Sequence, residues 1–420
     1  MNNKFYIKNL NSFVNNSAFL YLYNFSDYLI TFFLLPFIVR ALGAEEFGKI
    51  GLAQTFGILI VLIIEFGSPL VSTREIAKIK NKSNGLLKYI GEIITFKILL
   101  IPLTFLITFI AISFIPIFTS NPEYILIVLI GSIFQGLSPV WYFQGIEKIG
   151  KIIISKIMIR LLGFVAVIFF VDNPRDGWIF LTSISMTNFF VCVAMYKKMI
   201  NDIGLFRLVN FKNLGASLKQ NFHSFLISIF PVIYQNITSI MLSFFVSPLQ
   251  LGVFYGMSKI YRAFNTLFGP ISQAVFPIIS KVSNKNQIES KLLIKKYLTL
   301  IITIGILFMI IIYIFSEQII TLILGENFSS GTLLLKLFSF VLPLTAISNA
   351  LGRQWLMAKN KDSFYLLTQF LSSIAAFLTF YYAIKKFDIL SIPISLIVFE
   401  LVTIFLIALF LLRNEKYRFI

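Results

Sequence analysis

The sequence predicts an all-α integral membrane protein, with 12 transmembrane helices in two six-helix bundles. Three observations predict it. The 420 residues are 58% hydrophobic and only 13% charged, with a mean hydropathy of +0.87, whereas a soluble domain carries roughly 25% charge. Apolar runs long enough to cross a bilayer, about 20 residues each, recur along the whole chain. Lys and Arg gather in every second loop between those runs, which is the pattern membrane topology imposes.

The runs are continuous and rich in Ile, Leu and Phe. Barrel strands would instead alternate apolar and polar over about ten residues. In the first half the expected spans are 17–40, 47–71, 90–115, 124–144, 151–171 and 178–197; in the second they are 222–247, 252–280, 297–316, 331–357, 364–384 and 391–412. The first run is too long for a signal-peptide core and is read as a span.

The cation-rich loops include Arg74, Lys78, Lys80 and Lys88, then Lys148 and Lys151, then Lys197, Lys198 and Arg207. The set continues with Lys281, Lys291, Lys295 and Lys296, then Lys359 and Lys361. The opposite loops, 41–46, 116–123, 172–177, 248–251, 317–330 and 385–389, are short and hold few cations. The cation-rich loops and both termini are therefore expected in the cytoplasm. The same rule accounts for the net charge of +18 and removes nucleic acid as a partner. A single cysteine, Cys192, and a single histidine, His223, exclude an intramolecular disulfide and a Cys- or His-based metal site.

Three segments are expected: an N-terminal bundle over 1–200, a cytoplasmic linker over 201–220 and a C-terminal bundle over 221–420. Between Lys197 and Lys219 there is no apolar run of bilayer length. Its Ile, Leu, Val and Phe among Lys, Arg and Asn suit either a surface amphipathic helix or a plain linker. Its cations suit anionic lipid headgroups.

The halves echo one another. Phe47-Gly48 opens the second span of one half and Leu251-Gly252 the second span of the other. Trp141-Tyr142-Phe143-Gln144-Gly145 ends a fourth span, and Arg353-Gln354-Trp355-Leu356-Met357 ends its counterpart. Six spans per half is an even number, so the halves would share one orientation about an axis along the membrane normal. Pro36, Pro139, Pro231, Pro270, Pro277, Pro343 and Pro393 fall in or near spans, where each frees a carbonyl and bends its helix.

Charge inside a span is costly and marks candidate sites. Asp27, Glu65, Glu92, Lys97, Lys156, Arg160, Lys259, Arg262, Lys336, Arg353 and Glu400 qualify. Glu92, Lys156, Lys336 and Arg353 lie near span ends and can reach water. Lys259 and Arg262, at i and i+3, share a helix face roughly 10–15 Å from Gly252 at 1.5 Å per residue. Two such cations must line a hydrated cleft, pair with Asp27 or Glu400, or hold an anionic ligand. Arg160 is comparably deep. Asp27 and Glu400 are candidate counter-ions or coupling groups, the coupling ion being H+ or Na+. No other cofactor is expected. A cationic cleft between two bundles suits a lipid-linked phosphate or diphosphate.

Three segments carry a family resemblance: Pro36 with Arg40-Ala41-Leu42-Gly43-Ala44-Glu45-Glu46-Phe47-Gly48, Ser68–Arg74 with Glu75, and Pro139–Lys148. On these the chain resembles the Wzx-type polysaccharide flippases of the multidrug/oligosaccharidyl-lipid/polysaccharide exporter superfamily. The resemblance implies V-shaped bundles working by alternating access in the bacterial inner membrane. It implies an undecaprenyl-diphosphate-linked oligosaccharide as cargo, in contact with membrane lipids and the polysaccharide polymerase machinery. It transfers no cargo-binding residue by motif. Arg40 matches the motif and reads equally as a helix-end anchor for Glu45 or Glu46.

Two other functions compete. An ion-coupled multidrug exporter of the same superfamily would want a carboxylate-lined pocket, and cations outnumber carboxylates in the spans. A membrane polymerase or glycosyltransferase could use Glu45-Glu46 as an acid pair, but the outward loops are too short to hold a catalytic domain. The chain is therefore expected to transport rather than catalyse.

Overall fold

The computed structural model describes residues 2–80, 83–209, 232, 234–283 and 287–414. Side chains of residues 2–29, 31, 70, 83, 84, 151, 274 and 277 lie outside that description. So do His223, Pro231, residues 222–231 and 233 of the expected span 222–247, and the linker beyond Val209. The described residues are helical and contain no strand.

The first half runs α1 (Asn2–Glu65), α2 (Ser68–Ile79), α3 (Ser83–Phe114), α4 (Pro116–Ser120), α5 (Pro122–Leu137), α6 (Val140–Gly145), α7 (Gly150–Phe170) and α8 (Gly177–Ile203). After helical residues 234–242 come α9 (Pro248–Thr266), α10 (Phe268–Ser283), α11 (Gln287–Ile323), α12 (Thr332–Asn349), α13 (Asp362–Phe387) and α14 (Ser391–Arg413). Among the described residues, eight helical stretches are long and apolar enough to cross a membrane. One of these, Asp362–Arg413, holds both α13 and α14.

Several predicted boundaries move, these among them. The expected loop 41–46 is a kink inside α1, where Gly43 takes φ 74 and ψ 171 while helix continues on both sides. Only a residue without Cβ takes that conformation cheaply. The expected span 47–71 stops at Glu65, because Phe66 and Gly67 both have positive φ; Ser68–Ile79 is a separate helix. The expected span 252–280 divides at Leu267 into α9 and α10.

Contacts divide the chain into two compact units. The first comprises Met1–Leu42 and Lys49–Asn236; the second comprises Gly43–Gly48 and Ile237–Ile420. In lipid the apolar drive between helices is weak, so polar and close-packed contacts hold them together. In the first unit, Ser185 Oγ on α8 donates to the Ile127 carbonyl of α5 at 2.9 Å, and Asn188 Nδ2 donates to the Gly131 carbonyl at 3.3 Å. In the second, Thr403 Oγ1 on α14 donates to Ser372 Oγ on α13 at 2.8 Å.

Candidate functional site

The second unit carries Lys259 and Arg262 on α9, whose first turn is capped by the Ser247 hydroxyl accepting from the Gln250 amide. Residues Gly43–Gly48 pack on this same helix. A Cβ on Gly252 would collide with the Ala44 carbonyl, and one on Gly48 with the Pro248 carbonyl. The two glycines matched as repeat counterparts are therefore packed against each other. This close approach brings Phe47 over Lys259: the ammonium lies 5.2 Å from the ring centroid, and Phe47 meets Phe328 edge-on at 6.5 Å. Helical side chains lean toward their N-terminus, so Lys259 reaches back toward the Gly252 end. Lys259 is half-buried and Arg262, one turn on, is exposed. Between them Tyr261 is buried, stacked on Phe338 at 5.1 Å.

Glu400, on α14, is 7% exposed. Its partners among the described residues are hydroxyls of α12: Thr345 Oγ1 donates to Oε1 at 2.8 Å and Ser348 Oγ donates to Oε2. Ser348 Oγ is also 3.2 Å from the Thr345 carbonyl. A hydroxyl has one hydrogen and two acceptor lone pairs. An ionised Glu400 takes the Ser348 hydrogen; a protonated one donates to Ser348 Oγ and leaves that hydrogen for the carbonyl. The site satisfies both forms without moving a helix.

Arg160 lies in α7 of the first unit, half-buried. Asp27 lies on α1, but its side chain is outside the described residues. Of the predicted set, the structure gathers Lys259 and Arg262 on α9, and finds hydroxyl partners for Glu400 on α12. Glu45 is exposed and Glu46 half-buried in the kinked segment. Among the described residues no three metal-ligating side chains cluster.

The other two motif segments meet in the first unit. Thr73 Oγ1 lies 3.2 Å from Gln144 Oε1, Gly145 abuts Ile76, and Lys80 pairs with Glu147 at 3.3 Å. Trp141, Tyr142 and Phe143 are buried there with Ile76, Ile90 and Met195. Lys97 has a role here that its place in a span did not specify. After Pro139 the Val140 amide donates to the Ser138 carbonyl at 2.9 Å, so the Gly136 carbonyl loses its usual i+4 partner. Lys97, 1% exposed, supplies the replacement: Nζ donates to that carbonyl at 2.7 Å, 5.8 Å from the Trp141 ring centroid. Pro139 was the available signal, since a proline in a span leaves carbonyls to be satisfied by neighbours.

The second unit has a parallel device. The helix passes into a π-turn, Ala350–Leu356, a form often found at functional positions. Gln354 Nε2 donates to the Ser272 carbonyl at 3.1 Å, and the Lys359 ammonium lies 4.6 Å from the Trp355 ring.

Comparison with known proteins follows the same lines. A family model described as "Polysaccharide biosynthesis protein" matches residues 13–283. A protein of Escherichia coli (strain K12) described as "Putative O-antigen transporter" is 26% identical over 393 residues, covering 93% of this chain and 94% of the relative. A protein of the same description from Shigella dysenteriae is 27% identical over 409 residues, covering 96% and 99%. In fold the chain is similar to the lipid II flippase MurJ in an inward closed conformation, with TM-score 0.78, 14% identity, and coverage of 95% of this chain and 89% of that one. It is also similar to the MATE multidrug transporter DinF-BH, with TM-score 0.68, 14% identity, and coverage of 98% and 97%. The all-α, multi-pass membrane architecture read from the sequence, and its Wzx-type resemblance, stand on these matches: the chain belongs to the polysaccharide biosynthesis protein family.

Proposed function

We propose that this protein is a flippase for lipid-linked polysaccharide repeat units, of the O-antigen kind, in the bacterial inner membrane. The cargo is an oligosaccharide on undecaprenyl diphosphate, taken from the cytoplasmic leaflet and presented outside by alternating access. The observation that carries this reading is the likeness, over 93% and 96% of the chain, to two relatives described as O-antigen transporters. The cation-rich loops and both termini face the cytoplasm.

In this reading the diphosphate meets Arg262, whose exposed guanidinium can fork onto phosphate oxygens. Lys259 adds positive charge one turn away, and Arg160 is the first unit's own candidate for a phosphate contact. Glu400, built to carry or release a proton, couples transport to a proton gradient; Asp27 is the second coupling candidate. The polysaccharide polymerase machinery receives the product.

A deletion strain tests the function. Lipid-linked repeat units accumulating on the cytoplasmic leaflet, and cleared by the intact gene, are the expected result. Normal translocation with unpolymerised units outside would instead mark a polymerase. Unchanged repeat units with lost resistance to cationic dyes would mark a multidrug exporter.

A further inference from the structure

The first unit carries a groove of about 580 Å³ at one end of its helices. Its apolar wall is Ile94 and Ile98 of α3, Leu137 of α5 and Val193 of α8. Ile98 is 39% and Val193 47% exposed, so the groove opens on the surface of the unit. Lys197 and Asn201 line it nearer the end of α8. Val193, Lys197 and Asn201 follow one another at i, i+4 and i+8, which is one stripe of the helix. The groove is therefore graded, with hydrocarbon at depth and a cation and an amide at the rim.

The chain after α8 adds to that rim. Helix ends at Gly204, with φ 82, and residues 204–209 run back across α3. The Val209 amide donates to Thr95 Oγ1 at 3.0 Å. The Arg207 carbonyl passes over Gly91, where a Cβ would block it. The Phe206 ring lies 6.5 Å from Tyr196. Gly91, Ile94, Thr95 and Ile98 occupy one face of α3, so this strap crosses just beyond the groove and sets exposed Arg207 within a turn of Ile94. The rim segment 197–209 holds Lys197, Lys198 and Arg207 against a single acid, Asp202. Lys197 and Arg207 are both exposed, so their charges stand at the surface beside the groove.

We propose that this groove binds one anionic glycerophospholipid, one of its two acyl chains against Ile98, Leu137 and Val193 and its phosphate between Lys197 and Arg207, with the Asn201 amide as a further donor. An apolar trough at membrane depth with a basic rim has the charge and polarity order of such a lipid. The lipid would hold the strap against α3, so that the chain leaving the first unit is positioned by the membrane's own anionic lipid. This holds whatever the cargo is.

Photocrosslinking tests it. The full chain carries benzoylphenylalanine at Val193, or as a control at Ile154, 71% exposed on α7 and three residues from Lys151 as Val193 is four from Lys197. Both are placed in nanodiscs of phosphatidylglycerol and phosphatidylethanolamine, whose leaflets are alike, so neither the orientation nor the transport reading affects the outcome. The expected result is phosphatidylglycerol enriched several-fold over its bulk fraction at Val193, bulk proportions at Ile154, and enrichment lost in K197Q/R207Q with the Ile154 adduct unchanged. Bulk proportions at Val193, or enrichment indifferent to the double substitution, overturns the proposal. So does an adduct to residues 210–233, which would make that segment the occupant.

Discussion

The Lys259 ammonium lies 5.2 Å from the centroid of the Phe47 ring. The two residues are more than two hundred positions apart, and each belongs to a feature that sequence reading treated separately: a family motif and a cation within a span. Replacing Phe47 with Leu keeps an apolar side chain but removes the ring face. A cation–π contact is worth about 0.5–2 kcal/mol. Phe47→Leu should therefore lower the melting temperature of the purified protein by a few degrees, while Phe47→Tyr should restore it. Equal losses in both would mean that the ring face contributes nothing.

Gly252→Ala tests the close approach that brings Phe47 there. In most helices Gly→Ala stabilises by about 1 kcal/mol. Here the added methyl meets the Ala44 backbone carbonyl, which cannot move aside. At Gly256 it meets the end of a flexible side chain, Leu324 Cδ1 at 2.9 Å. Monodisperse yield by fluorescence-detected gel filtration should collapse for Gly252→Ala and survive for Gly256→Ala.

Lys97→Met removes the donor to the Gly136 carbonyl and leaves that oxygen buried. An unsatisfied buried acceptor costs about 1–3 kcal/mol. Thermal stability should fall accordingly, with transport per folded molecule unchanged. A transport defect at normal stability would place Lys97 in the cargo path instead.

Arg262→Glu places a carboxylate where the cargo diphosphate is proposed to dock. The residue is exposed, so the protein should reach wild-type levels while complementation of a deletion strain is lost. Wild-type transport by this variant would remove Arg262 from the site.

Glu400→Gln fixes the neutral form in nearly the same shape, between Thr345 and Ser348. Flipping in reconstituted vesicles should proceed at a low rate and no longer respond to an imposed proton gradient. If the gradient still accelerates it, coupling lies elsewhere, with Asp27 the next residue to change.

Class, family and the rough placing of the apolar helices were legible in the sequence because each is a local property. Bilayer-length apolar runs, alternating loop charge and the Arg40–Gly48, Ser68–Glu75 and Pro139–Lys148 segments are all contiguous in the chain. Glu400 was legible as costly, since a carboxylate among Ile, Leu and Phe stands out without a structure. The partners of these groups were not legible. Nothing near Glu400 in sequence announces Thr345 and Ser348, and nothing near Gly136 announces Lys97. Those pairings arise because a bilayer offers no water to spare polar atoms, so each buried group must find a donor or acceptor on whichever helix packs beside it. Which helix that is depends on the three-dimensional packing of helices distant in the chain, and only the tertiary structure decides it.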